Sequence, residues 1–282
     1  MTEANKTQIK VGLALGSGAA RGIAHIGVIK ALEEAQVPIN YIAGTSMGAL
    51  VGACYAADVN ISLLEEVALA TNPKKLSGLL DPKFSIFRAG LLGGKKVERF
   101  LRTIIGDIDI EKCLIPYSAV ACELKTGRDI ALATGPLIKA VRASISIPGV
   151  FVPVSHNGLY LVDGGTVNPV PADVVRSMGA NFIIAVNVLN DPKKRPRLGL
   201  TGDKKSDRMP SIFNTIIQSL YIMEYGIVRA NLLKADILIE PDVSAIEPYE
   251  FYRGSYAIEA GYKAALAVMP EIKNLLEQFE HV

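Results

Sequence analysis

Apolar and polar positions follow the same order twice in the first sixty residues. An apolar run at Val11–Leu15 leads into a glycine loop, and residues 19–35 then carry apolar side chains at helical spacing. After Pro38 a second apolar run leads through a glycine turn into an apolar helix, all within residues 39–57. Two consecutive units of strand, loop and helix predict a parallel sheet covered by helices, with the chemistry at the carboxyl ends of the strands.

The rest of the chain predicts further helices, two hairpins and two more strands. The helices are predicted over residues 60–71, 95–105, 136–144 and 211–234 and from about Ser255 onward. The hairpins pair 117–122 with 129–133 and 150–154 with 159–162, and the strands lie at 182–188 and 237–239. Residues 72–94 mix apolar and basic side chains, which is typical of either a packed connection or a lid.

Composition indicates a folded protein with little net charge. Half of the 282 residues are hydrophobic, and 30 basic against 28 acidic residues give a formal charge of +2, which argues against a nucleic-acid-binding surface. Neither the polar N-terminus nor the glycine-interrupted stretch 38–57 predicts a signal peptide or a membrane span. Three cysteines at spacings that suit neither a zinc site nor a disulfide framework predict reduced thiols and a cytoplasmic protein: Cys54, Cys113 and Cys122.

Residues 44–48, Gly-Thr-Ser-Met-Gly, match the G-x-S-x-G nucleophile elbow, with a predicted strand before them and a helix after. Gly44 and Gly48 let the backbone bend sharply while the hydroxyl of Ser46 stays exposed. A glycine-rich connection with an idle serine is the alternative, because short motifs also arise by chance. The flanking elements favour Ser46 as a nucleophile.

The glycine loop over residues 16–22 precedes a predicted helix, where backbone N–H groups are unpaired and the helix dipole favours negative charge. Gly18 and Ala19 are the leading donors for an oxyanion hole in this loop, which also includes Gly16, Ser17 and Arg21. A dinucleotide loop is disfavoured, because the third glycine of its motif would fall on Arg21. The Arg21 side chain either orients the loop, attracts an anionic head group or forms an ordinary salt bridge.

A serine nucleophile needs a proton acceptor, and Asp163 is better placed for this than any histidine. It follows a predicted strand, and Gly164 and Gly165 after it allow close backbone approach. An aspartate that merely caps a turn is the alternative. The three histidines lie beside a turn, one helical turn beyond Arg21, and next to the C-terminus: His156, His25 and His281.

Three motifs in this order resemble those of the patatin-like phospholipase family, and of its short bacterial members in particular. They are GSGAARG at 16–22, GTSMG at 44–48 and DGG at 163–165, and the resemblance covers about residues 9–190. It implies that Ser46 is the nucleophile, that Asp163 is its base, and that the backbone around Gly18 and Ala19 forms the oxyanion hole. Ser17 stands where the family often has glycine.

The resemblance implies a patatin-like α/β fold, a single three-layer domain over residues 1–282 with a mainly parallel central sheet and helices on both faces. The three motifs fall in the core at 9–190. A basic loop at 191–208 and an extension at 210–282 follow it.

The expected activity is hydrolysis of carboxylic esters of lipids, of the phospholipase A, lysophospholipase or esterase type, without a metal or a cofactor. Two alternatives stay open, a regulatory or scaffold protein on the same fold and an acyltransferase that uses the same residues. The expected partners are a lipid or other acyl ester and, through the basic residues in 193–208, the anionic inner face of a membrane. A solvated loop without a partner fits those residues equally well, and the sequence permits a monomer or a homo-oligomer.

Overall fold

A computed structural model of the chain describes residues 8–71, 92–189, 191, 212–231 and 235–280. The strands are β1 Val11–Leu15, β2 Tyr41–Thr45, β3 Tyr117–Glu123, β4 Asp129–Leu132, β5 Val154–His156, β6 Leu159–Asp163, β7 Phe182–Val186 and β8 Ile237–Ile239. The helices are α1 Ala24–Glu34, α2 Met47–Ala56, α3 Ile61–Leu69, α4 Lys95–Ile105, α5 Leu137–Ser144, α6 Ala172–Ser177, α7 Ile212–Asn231 and α8 Gly254–Glu280.

All eight strands join one mixed sheet in the order β5-β6-β3-β2-β1-β7-β8, with β4 paired to β3. The five strands from β3 to β8 along that order pair in parallel, whereas β4, β5 and β6 add antiparallel ladders. The predicted α/β fold is therefore confirmed. Both predicted hairpins lie at the antiparallel side, because tight turns can join only antiparallel neighbours.

Helices cover both faces of the sheet. Successive side chains of a strand point to opposite faces, and the alternation of β7 shows where they go. Phe182 and Ile184 pack in the core that α1, α2 and α8 share, whereas Ile183 packs in a second core with α6 and α7. The central strands β1 and β7 are buried along their whole length, as strands covered on both faces must be.

The predicted elements and the observed ones differ in three places. Residues 19–23 form a 3₁₀ turn, and the regular helix begins only at Ala24. The strand predicted at 150–154 begins at Val154, since the amides of Val150 and Phe151 both donate to the carbonyl of Ile147 in a turn. Helix α6 has no counterpart among the predictions.

Two predicted surface features fall largely outside the described residues. Of the segment 72–94, only its end is described, where Leu92 bridges to Phe151. Of the basic loop 191–208, only Asp191 is described. Within the described ranges, no helix is both long and apolar enough to cross a membrane.

Candidate active site

The nucleophile elbow lies where β2 gives way to α2. Ser46 stands between them with φ of 54° and ψ of −118°, a backbone conformation that non-glycine residues seldom adopt. A Cβ on Gly44 would lie 2.4 Å from the carbonyl oxygen of Gly48, and one on Gly48 would lie 2.1 Å from that of Leu15. Both glycines of the motif are thus required by the close packing of backbone around the turn.

Two hydrogen bonds from neighbouring elements hold the elbow in this conformation. The amide of Ser46 donates to Oγ of Ser144 over 2.9 Å, and that hydroxyl donates to the carbonyl of Val120 over 2.5 Å. The hydroxyl of Thr45 donates to the carbonyl of Asn168 over 2.8 Å. Ser144 ends α5 and was not among the predicted site residues, because no local motif marks it.

The structure brings the two predicted residues Ser46 and Asp163 together. Oγ of Ser46 donates to Oδ2 of Asp163 over 2.6 Å, and the amide of Gly165 donates to Oδ1 over 2.8 Å. Asp163 is the last residue of β6, and Gly164 after it passes so close to β3 that a Cβ would lie 2.3 Å from the carbonyl of Val120. Both side chains are buried, Ser46 with 5% and Asp163 with 3% of its surface exposed.

Burial gives the Asp163 carboxyl group an unusual basicity. It raises the pKa of Asp163 to about 7, although the hydrogen bonds from Ser46 and Gly165 favour the carboxylate and oppose the shift. A proton acceptor works best when its pKa lies near the operating pH. Asp163 therefore has the position and the basicity that a lone base for a serine requires.

The glycine loop between β1 and α1 presents two backbone donors beside the elbow. The amides of Gly16, Ser17 and Arg21 already donate to the carbonyls of Val186, Pro169 and Gly18. By contrast, within the described part of the chain the amides of Gly18 and Ala19 have no acceptor. Gly18 with φ of 157° and Ala19 with φ of 47° turn the loop sharply here, and both line the cleft that holds Ser46 and Asp163.

Arg21 and His25 support this loop from behind. The fully buried Arg21 donates from Nε to the carbonyl of Ile246 over 2.7 Å, which fits the predicted orienting role better than a surface salt bridge. Nε2 of His25 lies 2.7 Å from the carbonyl of Gly16, and burial lowers the pKa of this ring to about 4, so it is neutral. His156 lies on the β5–β6 hairpin beside Asn157, and His281 lies outside the described residues.

Helix α7 covers the cleft. The cleft is lined from the core side by the glycine loop, Ser46, Asp163 and the turn residues Ile147 and Pro148. From the outside it is lined by four residues of α7: Ile217, Leu220, Tyr221 and Glu224. The free space between these two walls is only about 10 Å³, which is about the room that one water molecule needs. Among the described elements, α7 is thus the one that closes the site.

Glu224 is a buried carboxyl group that the sequence-based prediction of the site missed. Oγ of Ser17 donates to its Oε2 over 2.8 Å. Burial, and next the charge of Asp163, raise the pKa of Glu224 to about 8. The available signal was one acidic residue in the otherwise apolar stripe that Ile217, Tyr221 and Val228 form along α7.

Several curated proteins are similar to this chain in sequence. An uncharacterised NTE family protein of Mycobacterium bovis is 44% identical over 179 residues, which are 64% of this chain and 49% of that protein. One of Mycobacterium tuberculosis is 32% identical and covers 94% of this chain and 47% of that protein. The Drosophila melanogaster neuropathy target esterase is 36% identical over 183 residues, 63% of this chain and 13% of the esterase. The chain spans about half the length, or less, of these curated relatives.

Among solved structures, VipD from Legionella pneumophila is similar in fold. The match covers 93% of this chain and 67% of the VipD chain, with a TM-score of 0.50 and 14% sequence identity. A similarity at this level of identity concerns the fold alone. The family model of patatin-like phospholipases matches residues 13–176, a range that includes the glycine loop, the elbow and Asp163. The chain therefore belongs to the patatin-like phospholipase family.

Proposed function

We propose that this chain is a serine acyl hydrolase that cleaves carboxylic esters of lipids, with Ser46 as the nucleophile and Asp163 as its base. The observation that carries the proposal is the 2.6 Å hydrogen bond from Oγ of Ser46 to Oδ2 of Asp163 in a buried site. Family membership supports lipid esters as the substrate class. The name of the Drosophila relative, an esterase, points to the same bond type.

The first half of the reaction forms an acyl-enzyme. The Asp163 carboxylate accepts the Ser46 proton while Oγ bonds to the acyl carbon, and the carbonyl electron pair moves onto oxygen. The amides of Gly18 and Ala19 stabilise that oxyanion, and one such donor is worth about 10²- to 10³-fold in rate. The ester C–O bond then breaks as Asp163 returns its proton to the leaving alkoxide.

The second half repeats these steps with water. Asp163 takes a proton from the water that attacks the acyl carbon, and Ser46 regains a proton as the acid leaves. If an alcohol replaces the water, the same residues carry out acyl transfer. Arg21 and His25 take no direct part in either half of the reaction. Both form hydrogen bonds with backbone carbonyls and in this way position the loop.

Hydrolysis of a chromogenic acyl ester by the full chain tests this proposal. Ser46→Ala and Asp163→Asn should each lower kcat by about 10³-fold or more, as loss of a nucleophile or its base does elsewhere. Ser118→Ala is the matched control, since Ser118 is equally buried on β3 but outside the cleft. Wild-type rates in the Ser46 and Asp163 variants would refute the mechanism.

Covalent labelling separates catalysis from a purely binding role. A fluorophosphonate should label the wild-type chain at Ser46 and should not label Ser46→Ala. A folded wild-type chain that resists labelling at every pH would favour a regulatory or scaffold protein. A panel of acyl esters and phospholipids, assayed with and without an alcohol acceptor, would then assign head group, acyl length and transfer.

We also propose that the protein works in the cytoplasm with weak contact to anionic membranes through the basic residues in 193–208. These residues are Lys193, Lys194, Arg195, Arg197, Lys204, Lys205 and Arg208. Each basic residue near an anionic surface contributes about 1 kcal/mol, so a few suffice to concentrate an enzyme at its lipid.

A further inference from the structure

Ser46 is inaccessible to an ester in the observed arrangement. Its hydroxyl lies at the bottom of a cleft with room for about one water molecule, and only 5% of the Ser46 surface is exposed, whereas an acyl group is larger than a water molecule. Of the two walls, the inner one consists of sheet ends, the elbow and the turn at Ile147 and Pro148, which are held by backbone hydrogen bonds. The outer wall is α7, so among the described elements α7 is the one that has to move.

Helix α7 meets the rest of the site through contacts of different kinds. Tyr221 and Val228 bury apolar surface in the core beneath, and the guanidinium of Arg21 lies 5.6 Å from the centre of the Tyr221 ring. The outer face leaves Ile222 and Met223 more than half exposed. The buried side-chain hydrogen bond from Ser17 to Glu224 joins the middle of the helix to the glycine loop.

Glu224 lies beside Asp163 across Gly165. A Cβ built on Gly165 would be 2.7 Å from Oε1 of Glu224 and 3.2 Å from Oδ1 of Asp163, so these two oxygens are at most 5.9 Å apart. Any side chain on Gly165 would push the two carboxyl groups apart. The bare glycine therefore permits a close pair of buried carboxyl groups, one from β6 and one from α7.

The charged groups around this pair do not offset a second negative charge. On the β6 side, the carboxylate of Asp163 lies next to Glu224 and repels a negative charge there. On the side of the glycine loop, the hydrogen-bond partner of Glu224 is the neutral hydroxyl of Ser17. The Arg21 guanidinium lies against the Tyr221 ring, and Arg229 on α7 is exposed. Two like charges so close in a buried site are unfavourable, so the closed state retains a proton on the pair.

We propose that Glu224 is a proton-dependent latch, which holds α7 closed over Ser46 while it is protonated and releases the helix when its proton passes to solvent. Closure itself does not depend on the proposed hydrolysis; only the consequence, that opening admits an acyl ester, rests on that function. Glu224 is in this sense a positioning residue and takes no part in the bond changes.

The direction of the pH effect follows from the two states of the carboxyl group. In the closed state the pKa of Glu224 is raised to about 8, whereas on an opened helix it returns toward the ordinary value of 4.5. Closure is therefore fully favoured below about pH 4.5 and loses stability as the pH rises through about 8. For one proton, the opening constant rises up to tenfold per pH unit in this window and is flat outside it.

Hydrogen exchange of the α7 amides between pH 5 and pH 9, divided by the intrinsic exchange rate at each pH, measures this opening. In the wild-type chain the protection of α7 should fall up to tenfold per unit and level off near pH 8. Glu224→Gln keeps an acceptor for Ser17 but removes the titration of Glu224, so its protection should fall less steeply with pH than that of wild type. The remaining fall, from Asp163, should level off near pH 7 rather than pH 8. Glu271→Gln, which removes an exposed acidic side chain of α8, is the control and should behave as wild type.

A second variant keeps the test valid if Glu224→Gln fails to fold. Burial raises the pKa of Glu224 most, and the charge of Asp163 raises it further. Asp163→Asn removes that charge, so the α7 protection of this variant should level off below pH 8. Wild-type protection that does not change with pH would overturn the latch, as would an Asp163→Asn profile identical to wild type.

Fluorophosphonate labelling separates failure of the latch from failure of the proposed function. At pH 8, Ser46 of Glu224→Gln should be labelled more slowly than Ser46 of wild type, because α7 stays closed over Ser46 in this variant. If Ser46 never labels although α7 shows the expected exchange window, hydrolysis is refuted and the latch stands. If Ser46 labels while α7 protection is flat with pH, the latch is refuted and hydrolysis stands.

Discussion

Ser144→Ala isolates the hydrogen bond that anchors the nucleophile elbow. The Ser144 hydroxyl accepts the amide of Ser46 and donates to the carbonyl of Val120, and all of these groups are buried. The substitution leaves the Ser46 amide without an acceptor, which costs about 1–3 kcal/mol. The backbone of Ser46, with φ of 54°, also stores about 1–3 kcal/mol of strain that this contact helps to hold.

We therefore expect Ser144→Ala to lower the free energy of unfolding by about 1–3 kcal/mol, measured by urea denaturation. As the turn relaxes, Oγ moves relative to Asp163, and a displacement of about 1 Å lowers kcat by about 10²-fold. Ser118→Ala is the control, because within the described residues Oγ of this buried serine has no hydrogen-bond partner. Equal stability and equal kcat in the two variants would refute the anchoring role of Ser144.

Two further predictions concern the base and the turn. Below about pH 7, kcat/KM of ester hydrolysis should fall at least tenfold per pH unit, because the carboxylate of Asp163, whose pKa burial raises to about 7, becomes protonated. A rate that is constant from pH 5 to pH 8 would argue against this base. Gly48→Ala should destabilise the chain in urea by about 3 kcal/mol or more, since its Cβ would lie 2.1 Å from the carbonyl of Leu15. The control Gly226→Ala, where a Cβ meets no atom within 4 Å, should leave stability unchanged or raise it.

A third prediction tests the membrane contact. Replacing the seven basic residues in 193–208 by glutamine should abolish the salt-sensitive sedimentation of the protein with anionic vesicles. Binding that persists unchanged would exclude the loop from this contact.

The sequence predicts the parts of the site that depend on local backbone geometry. The elbow around Ser46 needs two glycines at fixed places, and the DGG turn needs a residue with no side chain next to β3, so both leave a readable pattern. Asp163 was found because it follows a strand, and strands that pair in one sheet bring their ends together. The same local signals predicted the strands and nearly all of the helices.

The missing parts of the site depend on contacts between distant segments. Ser17 and Glu224 are 207 residues apart, and Ser46 and Ser144 are 98 apart, so no local pattern links either pair. The sequence fits either a lid or a packed connection in 72–94, most of which lies outside the described residues, and it gave no sign that α7 covers the described site. Its amphipathic pattern predicted the helix without showing which surface it packs against.

On the proposed mechanism, helix α7 couples the strength of the base to the access of substrate to the nucleophile. Asp163 is basic because it is buried, and part of that burial comes from α7. A site that opened to water would lose this effect, since solvation stabilises the carboxylate and lowers its pKa. An acyl chain that takes the place of Ile217 and Leu220 would keep water out and preserve the basicity of Asp163. On the proposed mechanism, the apolar substrate thus completes the environment that its own hydrolysis requires.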